Sequence, residues 1–362
     1  MELDSQFFIE LIQVSLGLRD SISKPPNDSE WKQVFLTCQQ QSVVGVAFIG
    51  VKRIADKSRQ KPPQNILLEW IALSEQIKQR NQLITERCLQ LTEIFTAAGF
   101  ETCILKGQGN ALMYPEPLLR QPGDIDIWIN ASRSKIERFV KRSYPNAVAI
   151  DHHIEYPIFH DVEVEVHYNP INIFEGRHRK KMTQFIELNK RAQFQNLVTL
   201  KGYDCMVNVP TFEFNIVTQL YHMFRHFLLG GVGMRQIIDY YYLLHNNKST
   251  SDDINKWICC LGLKKFAGAV MWVLIDVLGM NPKKAVVEID EKRGKLLLED
   301  IITGGNFGKY HGGLSHFFIN KSYTLSIAAR NFRFLWLFPE EAVTASLSGL
   351  IRRIKSIGVK KR

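Results

Sequence analysis

The sequence predicts an α+β protein: a small mixed sheet within residues 99–175, flanked by a helical region over 1–98 and another over 176–362. Three observations lead there. Apolar residues recur at helical spacing through most of the first hundred positions. The period then falls to two in "DIDIWIN" (124–130) and "VEVEVHY" (162–168). Beyond about 175 the helical period returns, as in "TFEFNIVTQLYHMFRHFLL".

Taken in order, "SQFFIELIQVSLGL" is a helix, and "KPPNDSE" breaks the chain before a second helix starts at "SEWKQVFLTCQQQ". After "KPPQ", residues 65–98 keep apolar side chains on one face for about nine turns and stop at Gly99. A helix that long is expected to brace one domain against another. Next come a short strand "ETCILK", a turn at Gly107, and a helix "QGNALMY" ended by Pro115. "PEPLLRQPG" is a loop, and "SRSKIERFVKRS" is an amphipathic helix opened by a Ser or Asn cap. "HIEYPIF" and "VEVEVHY" read as two strands joined at His160-Asp161. Further helices follow in "MRQIIDYYYLLH", "DDINKWICCLGL" and "FAGAVMWVLIDVLGM". The glycine-rich "GGNFGKYHGG" (304–313) lacks the GxxxxGK[ST] or GxGxxG order, so it carries little weight as a phosphate cradle.

Composition sets the frame. The 362 residues are 45% hydrophobic and 23% charged, ordinary for a globular protein. No run reaches the roughly 18 uninterrupted apolar residues that a membrane span needs. The nearest, 266–280, carries Asp276 and reads as a buried helix. "MELDSQFFIELIQ" has acids where a signal peptide has basic residues, so a cytoplasmic location without membrane association is expected. Six cysteines show neither CxxC spacing nor a zinc pattern and are expected to be reduced core thiols. The net charge of +10 is compatible with a nucleic acid, a nucleotide or an acidic partner and selects none; much of the excess lies in the tail "RRIKSIGVKKR".

The chemistry concentrates on two strands. Alternation puts Asp124 and Asp126 on one side of "DIDIWIN" and Ile125, Ile127 and Ile129 on the other. It likewise puts Glu163, Glu165 and His167 opposite Val162, Val164 and Val166. A lone DxD is often just a solvent-facing edge. If the two strands are neighbours, however, three or four carboxylates converge, and their repulsion raises their pKa values unless something neutralises them. A divalent cation does so economically: Mg²⁺ takes hard oxygen ligands and joins carboxylates to substrate phosphates. Two such ions about 4 Å apart can activate an attacking oxygen and steady a leaving pyrophosphate.

The ordered set "ILKGQGNALMY…R…GDIDIWI…VEVEVHY" resembles the nucleotidyltransferase superfamily, specifically its branch of uncharacterised nucleotidyltransferases. The matching positions are Lys106-Gly107, Tyr114, Arg120, Asp124-Ile125-Asp126 and Glu165-Val166-His167, followed by His222, His226, Arg235 and Asp239 in the helical part. The match covers about residues 100–245. It implies a polymerase-beta-like nucleotidyltransferase core in which Asp124 and Asp126 hold Mg²⁺ (or Mn²⁺) and Glu165 is the third carboxylate. It further implies an NTP, ATP among them, as donor. The sequence departs from the broader superfamily in having Lys106-Gly107 where Gly-Ser or Gly-Gly is usual, sixteen residues between that glycine and the first acid, and Glu as the third acid.

On that resemblance Gly107 lets the backbone turn and brings the amides near Gln108 and Gly109 to the triphosphate. Lys106 adds a point charge at the phosphates, or is a strand-end lysine in water. Arg120 clamps a phosphate oxygen, or pairs with Asp124 or Asp126. Glu165 is the third ligand or the base that takes the acceptor proton, with Glu163 next in line. His167 orients Glu165, touches substrate or makes a structural hydrogen bond. His222, Arg225 and His226 share a helical face and suit substrate contact or a polar seam. HxxxH without the Glu of HExxH argues against zinc there. Arg235 and Asp239, four apart, suit an intrahelical ion pair.

The expected activity is transfer of a nucleoside monophosphate from an NTP, with release of pyrophosphate, to a small molecule, a protein hydroxyl or an RNA end. The alternative is an inactive relative that keeps the fold as a nucleotide-sensing or protein-binding module. A helical nucleic-acid-binding protein with an incidental DxD is a third reading, and no basic–aromatic stripe supports it.

Overall fold

The computed structural model describes residues 3–58, 60–174, 176–200, 202–203, 205–246, 252–310, 330–339 and 342–343. The basic tail at 352–362 and the end of the glycine-rich stretch, 311–313, lie outside them.

The chain opens with helices α1 (Leu3–Leu16), α2 (Asp28–Gln40), α3 (Val44–Ser58) and α4 (Gln64–Ala97). A reciprocal cap starts α2: Asn27 Oδ1 accepts from the Glu30 amide at 2.9 Å, and the Glu30 carboxylate accepts from the Asn27 amide at 2.7 Å. The 34 residues of α4 span about 50 Å at about 1.5 Å per residue. Its first half gives Ile66, Trp70 and Ile77 to a core shared with α1–α3 and the C-terminal helices. Its second half gives Ile84, Cys88, Leu91 and Phe95 to a separate core beneath the sheet. One helix therefore ties two cores together. It ends at Gly99, whose φ of +79° lets the Phe100 amide turn back to the Phe95 carbonyl at 2.9 Å.

A compact α/β unit follows: β1 (Thr102–Leu105), α5 (Gly107–Ala111), β2 (Ile125–Ile129), α6 (Arg133–Ser143), β3 (His153–Glu155) and β4 (Val164–His167). The strands form one sheet in the order β1-β2-β4-β3, antiparallel at both edges and parallel between β2 and β4. This is the expected mixed sheet. Ile125, Ile127, Ile129, Val164 and Val166 face α4 and α6 in the second core. Ser132 stands at the start of α6, but its hydroxyl meets Ser134 Oγ at 3.3 Å rather than capping an amide, which corrects the expected cap.

The C-terminal part contains α7 (Arg179–Gln193), α8 (Phe212–Leu229), α9 (Met234–Asn246), α10 (Asp252–Cys260), α11 (Lys264–Trp272) and α12 (Glu291–Gly304). It is not wholly helical as expected. Strands β5 (Leu197–Thr199) and β6 (Met206–Asn208) form an antiparallel pair that is anchored to β1 by Asn208 Nδ2 donating to the Thr102 carbonyl at 3.1 Å. Three residues per strand, half of them exposed, leave too little alternation to read. The apolar run at 266–280 is buried as expected, with a wide turn at 273–277 that puts Asp276 outside. Among the described residues no single helix is long and apolar enough to cross a membrane. All six cysteines are free, but only Cys38, Cys88 and Cys103 are core thiols; Cys205, Cys259 and Cys260 are exposed, on a loop and the outer end of α10.

Close packing reaches the loop that delivers the acids. A Cβ on Gly45 of α3 would stand 2.4 Å from the Leu119 carbonyl oxygen, one residue before Arg120. Backbone cannot yield as a side chain does, so Gly45→Ala is expected to destabilise the protein by about 1–3 kcal/mol. Urea unfolding checks this as a lower midpoint at unchanged slope.

Candidate functional site

Strand pairing brings the acids together. In the parallel β2–β4 register Asp126 lies opposite Glu165 and Trp128 opposite His167. The antiparallel β3 adds His153 opposite His167. With side chains alternating, Asp126, Glu165, His167 and His153 share the face that looks away from α4 and α6. That face is not open to water throughout. Trp128 stacks on Phe214 of α8 at 6.0 Å and meets Phe194 at 4.8 Å, so the helical region covers one half and leaves the acids in a cleft.

Polar contacts run through this cleft as a chain. Lys106 Nζ donates to Asp126 Oδ1 at 3.0 Å, and His167 Nε2 lies 2.8 Å from the same oxygen. His167 Nε2 is also 3.3 Å from Glu165 Oε2, which lies 3.0 Å from His153 Nδ1. His152 Nε2 then lies 3.3 Å from His153 Nδ1. Asp126 and His167 are 5% and 1% exposed, whereas Asp124 stands at the cleft's mouth in solvent.

The electrostatics follow from this geometry. Burial alone would raise the Asp126 carboxyl, but the Lys106 ammonium and His167 hold it well below the usual carboxylate range. Asp124 shows the reverse: the charge on Asp126, then the water displaced from its side of the cleft, pushes it up to about 6 although one side stays in solvent. Burial works against the His167 imidazolium, yet its contacts with Asp126 and Glu165 raise it above an ordinary histidine. Burial lowers His153 and takes His152 down to about 2, so both rings are neutral near pH 7.

The sequence-predicted residues separate into groups. Asp126, Glu165, His167 and Lys106 meet directly, with Asp124 beside them. Glu163 is exposed just before β4 and is not in this cluster. Gly107 opens α5, but the sharp turn belongs to Lys106, which has φ +47° and ψ −120°. Such a backbone is costly for a side chain with a Cβ and is found where function holds it. The Gln108 side chain turns inward, donating to Thr85 Oγ1 at 2.7 Å and the Asn81 carbonyl at 3.0 Å, so only its backbone faces the β1–α5 turn.

Arg120 corrects both of its expected roles. It is 4% exposed and makes a bidentate pair with Asp239 of α9, Nε to Oδ1 at 2.7 Å and Nη2 to Oδ2 at 2.8 Å. The Tyr114 hydroxyl donates to the same carboxylate at 2.6 Å. Asp239 therefore pairs across the fold rather than along its helix with Arg235. Arg235 instead reaches back to the Gln121 carbonyl at 3.4 Å, and its Nη1 would be 3.8 Å from a Cβ on Gly123, next to Asp124. Its buried Nε has no partner among the described residues. His222 and His226 face each other at 3.0 Å on α8, with His222 lining a small cleft beside Lys106, Asn215, Thr218 and Gln219. Burial, then the Lys106 charge, keeps both well below an ordinary histidine, His226 at about 3. His152 and His153 were not expected here; only the antiparallel β3–β4 pairing brings the doublet to His167.

The donor set suits a divalent cation: one oxygen each from Asp126 and Glu165 and a ring nitrogen of His167 lie within 4.8 Å of one another. Two cavities of about 410 Å³ and about 350 Å³ lie elsewhere, and neither is lined by Asp124, Asp126 or Glu165. A family model described as "Uncharacterised nucleotidyltransferase" matches residues 27–279, from the cap of α2 to just beyond α11. The crystal structure of an antigenic nucleotidyltransferase-like protein from Paracoccidioides brasiliensis is similar to the chain at 15% identity and a TM-score of 0.32, covering 59% of this chain and 95% of its own. No curated protein matches.

Two predictions follow from the electrostatics. Asp239→Ala leaves the buried Arg120 guanidinium unpaired and is expected to cost about 3–5 kcal/mol in urea unfolding, against about 1 kcal/mol for Tyr114→Phe. Because Asp124 holds its proton more tightly folded than unfolded, its own contribution to wild-type stability in chelator falls as pH rises from its ordinary 3.8 through about 6. Asp124→Asn removes that penalty. Its stability relative to wild type should therefore climb across this window and level off above it, by on the order of 1 kcal/mol after discounting for solvent exposure.

Proposed function

The chain belongs to the uncharacterised nucleotidyltransferase family, and from that membership we propose that it moves a nucleoside monophosphate from an NTP to an acceptor hydroxyl with release of pyrophosphate. The observation that carries this reading is the meeting of Asp126 and Glu165 across the β2–β4 register, with Asp124 at the mouth. Asp124, Asp126 and Glu165 would hold Mg²⁺ or Mn²⁺. Such an ion would supply positive charge against that developing on the departing pyrophosphate.

The chain's own residues supply the rest. Lys106 sits at the Asp126 carboxylate and is placed to pass from that acid to a phosphate oxygen when the nucleotide brings its charge. The amides of Gly107, Gln108 and Gly109 follow directly on Lys106 at the start of α5 and would offer further donors to the phosphates. Arg235 replaces Arg120 as the arginine for the phosphates: it lies beside the Gln121–Gly123 loop with an unpartnered Nε, while Arg120 is committed to Asp239. Glu165, only part-buried and backed by His153 and His167, is suited to take the acceptor's proton. The acceptor lies toward α8, where His222, Asn215 and Gln219 offer polar contacts.

One observation favours the second reading, an inactive module that senses nucleotide or binds protein. The Lys106 ammonium already supplies a positive charge at Asp126, where a transferase needs a cation.

Titrating ATP, GTP, CTP and UTP with Mg²⁺ into wild type and Asp126→Asn separates the outcomes. The proposal expects tight, metal-dependent binding of at least one nucleotide, weakened at least tenfold in the variant, and pyrophosphate release once an acceptor is present. Arg235→Gln should weaken nucleotide binding while leaving unfolding nearly unchanged. Binding without pyrophosphate release from any extract fraction supports the module; affinity unchanged in Asp126→Asn contradicts the transferase.

A further inference from the structure

Three imidazoles converge at the end of the contact chain, where the carboxylate chemistry does not require them. A ring nitrogen from each of His152, His153 and His167 lies within 4.8 Å of one from each of the others. Glu165 Oε2 joins them, 3.0 Å from His153 Nδ1 and 3.3 Å from His167 Nε2; His152 Nε2 lies 3.3 Å from His153 Nδ1. In a tetrahedral zinc site with bonds of about 2.0–2.1 Å, neighbouring donor atoms stand about 3.3 Å apart. The three separations match that edge.

A histidine kept for structure has both nitrogens hydrogen-bonded. His152 does not: its Nδ1 is buried without a partner among the described residues, and its Nε2 meets only another imidazole nitrogen. A single proton on His153 Nδ1 has to serve both Glu165 and His152 Nε2; once it is released, both ring nitrogens offer lone pairs that are good ligands for a late first-row ion. The Lys106 ammonium is paired to Asp126, 3.0 Å away, and not to Glu165.

We propose that His152, His153, His167 and Glu165 form a tetrahedral site for a Zn²⁺-class ion, distinct in donor set from the Asp124–Asp126–Glu165 site for Mg²⁺. Sharing Glu165 couples the two. Zinc occupancy withdraws Glu165 and His167 from the carboxylate cleft, so zinc opposes loading of the nucleotide site. The coupling rests on the proposed transferase reading; the zinc site itself does not.

The test uses the full chain, stripped with chelator and without nucleotide, titrated with Co²⁺ as a spectroscopic stand-in and then with Zn²⁺. One equivalent of Co²⁺ with the intense visible absorption of tetrahedral coordination, displaced by Zn²⁺, is the expected result. His152→Ala, at a half-buried position, should weaken binding more than tenfold with its circular dichroism unchanged. His222→Ala/His226→Ala should bind as wild type does. Only the weak absorption of octahedral Co²⁺, or loss of binding in the His222/His226 variant instead, overturns the proposal. Zinc K-edge absorption of the loaded wild type needs no variant: three imidazoles in the coordination shell support the site, and one or none overturns it. Failure of the zinc-free protein to bind any nucleotide with Mg²⁺, while it still binds zinc, would indict the transferase reading alone.

Discussion

Everything at the site depends on the parallel pairing of β2 with β4. That register places Asp126 against Glu165 and, two residues on, Trp128 against His167. A slip of one residue in either strand would turn its acid into the apolar core and its isoleucines or valines into the cleft. The hydrophobic face, packed on α4 and α6, therefore fixes the functional face: the energy that buries Ile125, Ile127, Val164 and Val166 holds carboxylates together against their repulsion. Lys106 and His167 offset what remains, both acting on one oxygen of Asp126.

A second constraint keeps the cleft in shape. Tyr114 and Arg120, with Asp239 lying 119 positions beyond the arginine, form one buried network that joins the loop between α5 and β2 to α9. Buried charges of this kind are costly unless fully paired, and here the guanidinium and carboxylate meet bidentately while a hydroxyl completes the set. The network fixes where the loop carrying Asp124 leaves the helical region. It also leaves Arg235 reaching toward that loop with donor capacity to spare. The division of labour is physical: one arginine is neutralised in the interior, and the other lies next to the acids.

Much of this was legible in the sequence. Period-two alternation identified β2 and β4 and assigned their faces, and the unbroken apolar stripe over 65–98 gave α4 within a residue. The resemblance singled out Tyr114, Arg120 and Asp239, but not that they bond to one another, because a pairing over 119 positions leaves no local trace. His152 and His153 escaped for the same reason: their partners are set by the β3–β4 register, which three-residue strands do not announce. The turn at Lys106 was assigned to the adjacent glycine because propensity favours glycine there, whereas the structure puts the positive φ on the lysine that contacts Asp126. Short strands β5 and β6, half exposed, carry no hydrophobic pattern from which to infer them.

The central claim is that Asp126 and Glu165 grip a cation that Lys106 only stands in for. Crystals of the wild type soaked with Mn²⁺ and a non-hydrolysable NTP analogue, with anomalous scattering recorded, address it most directly. The account predicts a manganese peak within about 2.0–2.4 Å of carboxylate oxygens from both residues, with the Lys106 ammonium moved from Asp126 to a phosphate. Manganese bound elsewhere, with the Lys106–Asp126 contact intact beside the nucleotide, would contradict it.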